Sequence, residues 1–243
     1  MAVHFVLQGK GGVGKSFVAY LTAQYLKDQG RLAGCFDIDQ ENATFAQYLA
    51  LDVKRVEVMD DSRIIDQRQF DRLLSEILER GAEGDFIVDS GANTFSPLLA
   101  YLLENNILDL LEASSIPAIV HTVVGGGDLF DDTKNALDSI VKALPPSVKL
   151  VVWENEHFGP LISPNGKAFD PKWKEGPTLT GRVTLQKRNH QTFGVDVRNL
   201  LRNRQTFEEA MGSPEIPILE RQRVKIVRDD VYRQLDQVDL WAS

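Results

Sequence analysis

The sequence predicts an α/β fold, with a doubly wound and mostly parallel sheet flanked by helices. Short apolar runs alternate with longer helical segments, which is typical of strand–helix–strand units in a parallel sheet. The strand-like runs are apolar throughout, as strands need to be when helices cover both faces of the sheet. A glycine-rich loop joins the first run to the first helix. We expect residues 1–243 to form a single domain, although the length also permits two.

The order of the elements follows from apolar periodicity and from the residues that interrupt it. Gly30 and Gly81 each follow a helical run and are predicted to end it, and Pro145 and Pro146 end another. The predicted strands are 3–7, 31–39, 53–58, 85–89, 116–124 and 148–153. The predicted helices are 15–29, 66–80, 98–111, 128–144, 193–211 and 224–237. The stretch 157–181 contains four prolines and little periodicity, so we expect a long loop, and such loops are usually functional or mobile.

Composition and charge restrict the function classes. The net charge is −8, which argues against a surface that binds nucleic acid over its whole extent. The acidic excess lies outside residues 180–234, where 11 Lys and Arg against 7 Asp and Glu give a balance of +4. The single cysteine, Cys35, excludes an internal disulfide and a cysteine-rich metal site, so we expect a reducing compartment. With no signal-peptide pattern and no apolar run long enough for a membrane helix, we predict a cytoplasmic protein without membrane contact.

The loop between the first strand and the first helix matches G-x-x-x-x-G-K-[ST] at every fixed position. Its glycines allow consecutive backbone N–H groups to point at phosphate oxygens, and the following helix adds its positive N-terminal end. Lys15 is expected to contact the β- and γ-phosphates, and Ser16 offers a hydroxyl to Mg²⁺. The alternative is a glycine-rich turn with a solvated lysine. The residues predicted to bind the phosphates of a nucleoside triphosphate, which we expect to be ATP with Mg²⁺, are Gly9, Lys10, Gly11, Gly12, Val13, Gly14, Lys15 and Ser16.

A second lysine in this loop narrows the class. Lys10 follows the first glycine, which gives the run Lys-Gly-Gly-Val-Gly-Lys-Ser. This run closely resembles the deviant Walker A signature of the ParA/MinD superfamily of P-loop ATPases, and the resemblance is strongest over residues 3–93. It implies that Lys10 reaches across a two-fold axis to phosphates bound by a second subunit, so that ATP closes a homodimer. The alternative is a lysine that is only solvated.

Three carboxylates end predicted strands, where an α/β sheet presents its site residues. Asp37 and Asp39 close the second strand, and their side chains point the same way because side chains alternate with period two. The resemblance implies that Asp39 positions the attacking water and that Asp37 holds a metal-bound water. Asp89 follows an apolar run and resembles a Walker B residue that coordinates Mg²⁺ through water. The alternatives are turn and cap carboxylates.

The segment after Asp89 departs from the commonest family pattern, in which two prolines follow the aspartate. Here the run is Ser-Gly-Ala-Asn at residues 90–93. The resemblance implies a switch whose Gly91 N–H senses the γ-phosphate, and the missing prolines indicate that this switch moves differently.

Asn155 follows the last predicted strand of the sheet. The resemblance implies that its amide reads the adenine edge, because an amide both donates and accepts hydrogen bonds. A plain turn residue is an equally good interpretation. The histidines are too scattered to suggest a metal site: His4, His121, His157 and His190.

Several features separate the branches of the superfamily. One cysteine argues against iron–sulfur carriers, which need paired cysteines. The acidic predicted helix at 231–243 opposes anchoring to anionic lipid. The runs 125–128, 153–159 and 216–223 resemble the TraL/StbB-like conjugal-transfer group. Plasmid or chromosome partition ATPases are the near alternative.

A basic segment near the end of the chain is a candidate for non-specific DNA contact. The alternative is a solvated face with ion pairs to Glu208, Glu209 and Glu220. The basic residues of this segment are Lys187, Arg188, Arg198, Arg202, Arg204, Arg221, Arg223, Lys225 and Arg228.

Three functions therefore remain open at the level of the sequence. The first is an ATPase switch that dimerises through Lys10, hydrolyses ATP slowly with Asp39, and binds partner proteins or DNA in its closed state. The second is a small-molecule transferase, for which the stretch 157–181 forms the lid. The third is a nucleotide-binding scaffold with little hydrolysis.

Overall fold

The computed structural model describes residues 1–60, 62, 64–163 and 165–240. Within these residues a seven-stranded sheet has the order β3-β2-β4-β1-β5-β6-β7, and each neighbouring pair is parallel. The strands are β1 Val3–Val6, β2 Leu32–Asp37, β3 Val53–Arg55, β4 Asp85–Asp89, β5 Ala118–Gly125, β6 Lys149–Asn155 and β7 Thr178–Leu185. Since the sheet grows outward in both directions from β1, the fold is doubly wound, which confirms the predicted fold class.

Helices cover both faces of this sheet. One hydrophobic core lies under α2 to α5 and contains Leu74, Leu102 and Ile140, and a second lies under α1 and α6 to α8. The helices are α1 Lys15–Asp28, α2 Gln67–Glu79, α3 Ala92–Glu104, α4 Ile107–Ala113, α5 Phe130–Ala143, α6 Phe193–Arg202, α7 Phe207–Gly212 and α8 Ile218–Leu235. None of the helices in the described part of the chain has the length and apolar character needed to cross a bilayer.

Two predicted helices are each divided by a residue with positive φ. Asn106, with φ 51°, separates α3 from α4 within the stretch 98–111, and Arg204, with φ 54°, separates α6 from α7 within 193–211. Left-handed backbone at a non-glycine residue cannot continue a right-handed helix. The apolar periodicity continues through both breaks, which is why it predicts single helices.

The final helix was also predicted with the wrong limits. It begins at Ile218, directly after Pro217, and ends at Leu235. Proline fixes φ at a helix start without the loss of an internal hydrogen bond. The acidic helix predicted over 231–243 therefore does not extend beyond Leu235 in the described residues, and its last residues, Trp241 to Ser243, lie outside them.

The predicted loop 157–181 was wrong at its end, whereas most of its length is indeed a loop. Residues 178–181 belong to β7, which pairs in parallel with β6. The rest is a crossover without an α-helix that packs against α5, where the Phe169 ring lies edge-on to Phe130 at 5.7 Å. The Trp173 indole N–H donates to the carbonyl of Pro177 at 2.6 Å. These contacts hold the described part of the crossover on the protein body, which does not fit a free lid; Pro164 lies outside the described residues.

Candidate nucleotide-binding site

The glycine-rich loop joins the end of β1 to the start of α1 at the centre of the sheet. Gly12 has φ 74° and Gly14 has φ 107°, values that favour glycine because a Cβ atom would clash with the backbone. The loop can therefore turn tightly at these two positions, and α1 begins at Lys15. This geometry provides backbone donors and the positive end of a helix at one point, as anion binding requires.

Lys15 is folded back over the loop. Its ammonium donates to the carbonyl of Lys10 at 2.9 Å, and the residue is only 6% exposed. Burial lowers the pKa of this amine, whereas the nearby carboxylates of Asp89 and Asp39 act in the opposite direction. The Lys15 ammonium thus lies against the phosphate loop and near two carboxylates, in the place where the motif predicts phosphate contacts.

Asp89 ends β4 between β1 and β2, with Val6 and Asp37 as its register partners. It is fully buried, and neither of its oxygens has a hydrogen-bond partner among the described residues. Burial raises its pKa well above the ordinary value, and the charge of Asp37 adds to this, whereas the Ser16 hydroxyl favours the charged form. A buried carboxylate without partners is costly unless a cation or a donor completes it.

This arrangement fits Mg²⁺. The ion prefers hard oxygen ligands and is usually held by one or two carboxylates together with phosphate oxygens. The unpartnered carboxylate of Asp89 and the hydroxyl of Ser16 are the two groups of this chain that would hold it.

Asp37 differs from Asp89 because both of its oxygens are engaged. One accepts the Asp39 N–H at 3.0 Å and the other accepts the Ala46 N–H at 2.9 Å. Burial raises the pKa of Asp37, and these two backbone donors oppose the rise. Asp37 therefore has a structural role, because it shapes the turn that carries Asp39. The metal-water role that the resemblance implies would be additional to it.

Asp39 lies at the junction of the loops that follow β2 and β4. Its Oδ1 accepts the N–H groups of Glu41 at 2.9 Å and Asn42 at 3.0 Å. Gly91 touches it so closely that a Cβ atom at that position would lie 2.7 Å from the Asp39 carboxyl carbon. Any side chain at position 91 would displace Asp39, which explains the need for glycine.

The Gly91 N–H is not free, contrary to the simplest form of the sensor expectation. It donates to the Thr94 hydroxyl at 2.8 Å, within the first turn of α3. A γ-phosphate that used this donor would have to replace Thr94.

Lys10 is bonded within its own chain. Its ammonium contacts Asp132 Oδ2 at 2.6 Å on the first turn of α5, and the two side chains are 42% and 60% exposed. Its backbone N–H donates to Gln8 Oε1 at 3.3 Å. The lysine thus lies on an open surface beside the loop, held by one exposed ion pair.

Asn155 is the last residue of β6 rather than a residue after the strand. Its side-chain amide donates to the carbonyl of Val13 at 3.0 Å, and its oxygen accepts the N–H of His157 at 3.1 Å. Both ends of the amide are therefore bonded to backbone, and Asn155 anchors the phosphate loop to β6. An adenine contact would require Asn155 to exchange one of these bonds.

A cavity of ≈ 690 Å³ begins at this anchor and was missed at the sequence level. It opens beside Gly12 and Gly14 and continues between β7, α6 and α8. Its volume lies in the range of small-molecule sites. Periodicity along α6 identifies apolar positions but does not distinguish core residues from cavity residues. The apolar side chains around the cavity include Phe158, Leu185, Phe193, Val197, Leu201 and Val231.

The basic segment has ion-pair partners other than the predicted ones. Arg188 contacts Asp230 at 2.6 Å, Arg223 contacts Asp196, and Lys225 contacts Asp229. The expected partner Glu209 instead caps α7 through Thr206. These ion pairs fit the alternative of a solvated face, but their acidic partners differ from Glu208, Glu209 and Glu220, because the sequence does not show which side chains meet after folding.

Comparisons with known proteins agree with this geometry. The family model for ParA, described as an NUBPL iron-transfer P-loop NTPase, matches residues 1–71. Two proteins from Escherichia coli, each named Protein TraL, are 40% and 38% identical to this chain over 238 residues. Each alignment covers 96% of this chain and 97% of the relative. The chain belongs to the TraL family.

The fold comparison finds the same architecture in a solved structure. The MinC:MinD cell division protein complex of Aquifex aeolicus contains a chain that superposes with a TM-score of 0.51. The identity is 15%, and the superposition covers 100% of this chain and 99% of that chain. At this identity the likeness supports the fold, and the phosphate loop with its second lysine supports the NTPase class.

Proposed function

We propose that this chain binds ATP with Mg²⁺ and uses it to close a homodimer, as an accessory ATPase of plasmid conjugative transfer. The observation that carries the proposal is Lys10, an exposed cation inside the phosphate loop whose ammonium contacts only Asp132 in the described part of the chain. A lysine that served its own nucleotide would be expected to lie inward, as Lys15 does. Lys10 instead lies where a second subunit can receive it.

Nucleotide binding divides between two parts of the site. The loop amides and Lys15 receive the phosphates, since both offer positive potential to oxygen atoms. The cavity beside Gly14 receives the nucleoside, because it is apolar, continuous with the loop and of suitable volume. Asn155 lies between the phosphate loop and the cavity, and its bond to Val13 fixes the loop beside the cavity.

Hydrolysis needs an oriented water and neutralised phosphate charge. Asp39 is the group we assign to the water, because it is partly exposed and close enough for its charge to act on the Lys15 ammonium. Asp37 fixes the backbone N–H of Asp39 and so orients the turn that carries it. Bound Mg²⁺ would supply charge neutralisation on phosphate oxygens, from a position beside Asp89 and Ser16.

Dimerisation follows from the weakness of the Lys10 contact. An exposed ion pair contributes at most about 1 kcal/mol, so its loss costs little. A phosphate bound in a second subunit carries more charge than Asp132 and would compete for the ammonium at short range. ATP would therefore shift the equilibrium toward the closed pair through differential affinity.

The transfer role rests on the relatives named TraL and on the sequence resemblance to the conjugal-transfer group. An iron-transfer role is less well supported, because Cys35 is buried and burial raises the pKa of its thiol. Partition with DNA binding is also less well supported, since Arg188, Arg223 and Lys225 are bonded to carboxylates. A transferase lid at 157–181 is less well supported, because His157 and Phe158 alone of its described residues line the cavity and the Phe169 ring packs against α5.

The test is the oligomeric state by light scattering of the Asp39→Ala protein, which we expect to retain ATP. We expect a dimer with Mg²⁺-ATP and a monomer with Mg²⁺-ADP. Lys10→Ala should abolish the dimer without loss of ATP binding. Lys134→Ala is the matched control, because Lys134 is also an exposed lysine in an ion pair, with Asp138.

A monomer in every state with ATP bound would remove the dimer switch and favour a scaffold. A burst of ADP that depends on a small-molecule substrate would favour a transferase. A protein that binds no nucleotide would refute the whole proposal.

A further inference from the structure

The Thr94 hydroxyl accepts a hydrogen bond from a backbone N–H group beside the phosphate loop. The Gly91 N–H donates to Thr94 Oγ1 at 2.8 Å, and Thr94 is completely buried. Gly91 is the residue before α3, so its N–H belongs to the helix N-terminus, where donors lack partners within the helix. Thr94 therefore satisfies a donor that would otherwise lack a partner within the helix.

This donor lies among the groups assigned to the phosphates. Gly91 is in direct contact with Asp39, and a Cβ atom at Gly9 would lie 3.3 Å from the Phe95 ring. The start of α3 thus touches both the start of the phosphate loop and the carboxylate of Asp39. Two residues before Gly91, the buried oxygens of Asp89 have no hydrogen-bond partner among the described residues, which independently indicates a missing ligand at this point.

We propose that Thr94 is a positioning residue that limits the preference for nucleoside triphosphate over diphosphate, by holding the Gly91 N–H until a γ-phosphate displaces it. This inference rests on the proposed nucleotide-binding function and adds a residue that governs it. A hydrogen bond to an ionised acceptor is roughly twice as strong as a neutral one, so a phosphate oxygen replaces the hydroxyl. A diphosphate lacks the terminal group and leaves the Thr94 bond intact.

The proposal makes a prediction about a gain of function. In Thr94→Val the shape is preserved but the hydroxyl is absent, so the Gly91 N–H is free before nucleotide arrives. Triphosphate binding no longer breaks a hydrogen bond, whose net value corresponds to about 3- to 10-fold in affinity. We expect the ratio of the ADP Kd to the ATPγS Kd to rise by that factor. Thr94→Ser keeps the hydroxyl and should keep the wild-type ratio.

The experiment measures both Kd values by competition with a fluorescent nucleotide in Mg²⁺, at protein concentrations where light scattering finds a monomer. A purely structural role would weaken both nucleotides together and leave the ratio unchanged. A rise in the ratio with Thr94→Val but not with Thr94→Ser supports the proposal. An unchanged or lower ratio overturns it. If the wild-type chain binds neither nucleotide, the proposed function fails first, and that result is distinguishable from an unchanged ratio.

A measurement on the wild-type chain covers the case in which Thr94→Val does not fold. In glycine-labelled protein, the amide resonance of Gly91 should move when ATPγS is added and stay close to its free position with ADP. Gly212 serves as an internal reference, since it lies at the end of α7 and is not among the residues around the cavity. Equal shifts of Gly91 with both nucleotides would contradict the proposal.

Discussion

The two halves of the sheet contribute to the site in different ways. On one side, β2, β4 and the loop after β1 supply backbone donors and charged groups from three short segments. On the other side, β7, α6 and α8 supply a cavity whose residues are scattered over 184–231. We call these the phosphate half and the cavity half.

The difference reflects the chemistry of what each half would bind. Phosphate recognition needs consecutive N–H groups, a lysine and a carboxylate at fixed positions, and only a contiguous motif fixes them. An apolar cavity needs shape and volume, which many residue combinations provide. A short motif is therefore visible in the sequence, whereas a cavity exists only after folding.

The two halves meet at the β1–β5 boundary, and a buried imidazole pair crosses it. Trp153 donates its indole N–H to His121 Nδ1 at 3.0 Å, so His121 carries its proton on Nε2. That proton is directed to His4 Nδ1 at 2.9 Å, which leaves the His4 proton on Nε2 without a partner. Both rings are fully buried, and the chain of bonds needs both to be neutral.

The largest predicted effect is a loss of folding stability at acidic pH, caused by this histidine pair. Burial lowers the pKa of His4 from 6.5 to about 3 and that of His121 well below its ordinary value. Below pH 6.5 the unfolded chain binds protons that the folded chain does not, so stability is lost as the pH falls toward the folded pKa. Two such groups together predict a loss of about 3 kcal/mol between about pH 7.5 and about pH 5.5. Denaturant unfolding across this range measures it.

The variants are compared by the slope of their stability against pH rather than by their absolute stability, because substitution in the core also changes packing. The double variant His4→Gln with His121→Gln should show a flatter pH dependence, whereas His157→Gln, an exposed histidine, should not. If residues 1–243 form one cooperative domain, as the sequence predicts, tryptophan fluorescence and circular dichroism should report the same transition. Separate transitions for the two signals would show that the halves unfold independently.

The second prediction uses two ligands to distinguish the phosphate half from the cavity half. Val197→Trp should fill the cavity and weaken ATP binding by about 10-fold or more, because the nucleoside loses its apolar burial. Inorganic tripolyphosphate, which needs only the phosphate half, should bind as before. Val195→Trp is the matched control, since Val195 lies on the same helix but is exposed and is not among the residues around the cavity. Competition against a fluorescent nucleotide measures both ligands, and an equal loss of both would show that the cavity is not the nucleoside site.

The sequence predicted the phosphate half far better than the cavity half. The loop, its lysines and the strand-ending carboxylates could be read because each lies in a short run with its own spacing. The strand β7 was missed, since its run 178–185 follows a proline-rich crossover without a helix. The bonds of Asn155 to Val13 and of Thr94 to Gly91 were also missed, because the sequence does not show which backbone groups remain open after folding.

The smallest predicted effect tests the contact between Lys10 and Asp132. In Asp132→Asn the ammonium loses its partner within the chain and is free for a second subunit. Since an exposed ion pair contributes at most about 1 kcal/mol, ATP-dependent dimerisation should strengthen by no more than about 5-fold. The free energy of unfolding should change by less than about 0.5 kcal/mol, as is usual for surface substitutions. Sedimentation equilibrium with Mg²⁺-ATP measures the first quantity and denaturant unfolding the second.

Asp131→Asn provides the comparison, because it removes the same charge from the same exposed turn of α5 without a contact to Lys10. If both variants strengthen the dimer equally, the effect is general charge repulsion between subunits rather than release of Lys10. If Asp132→Asn weakens the dimer, Asp132 holds Lys10 in its working position instead of competing for it. In that case α5 would support the closed dimer rather than hold Lys10 in the monomer. The two halves of the sheet would then act together on the lysine.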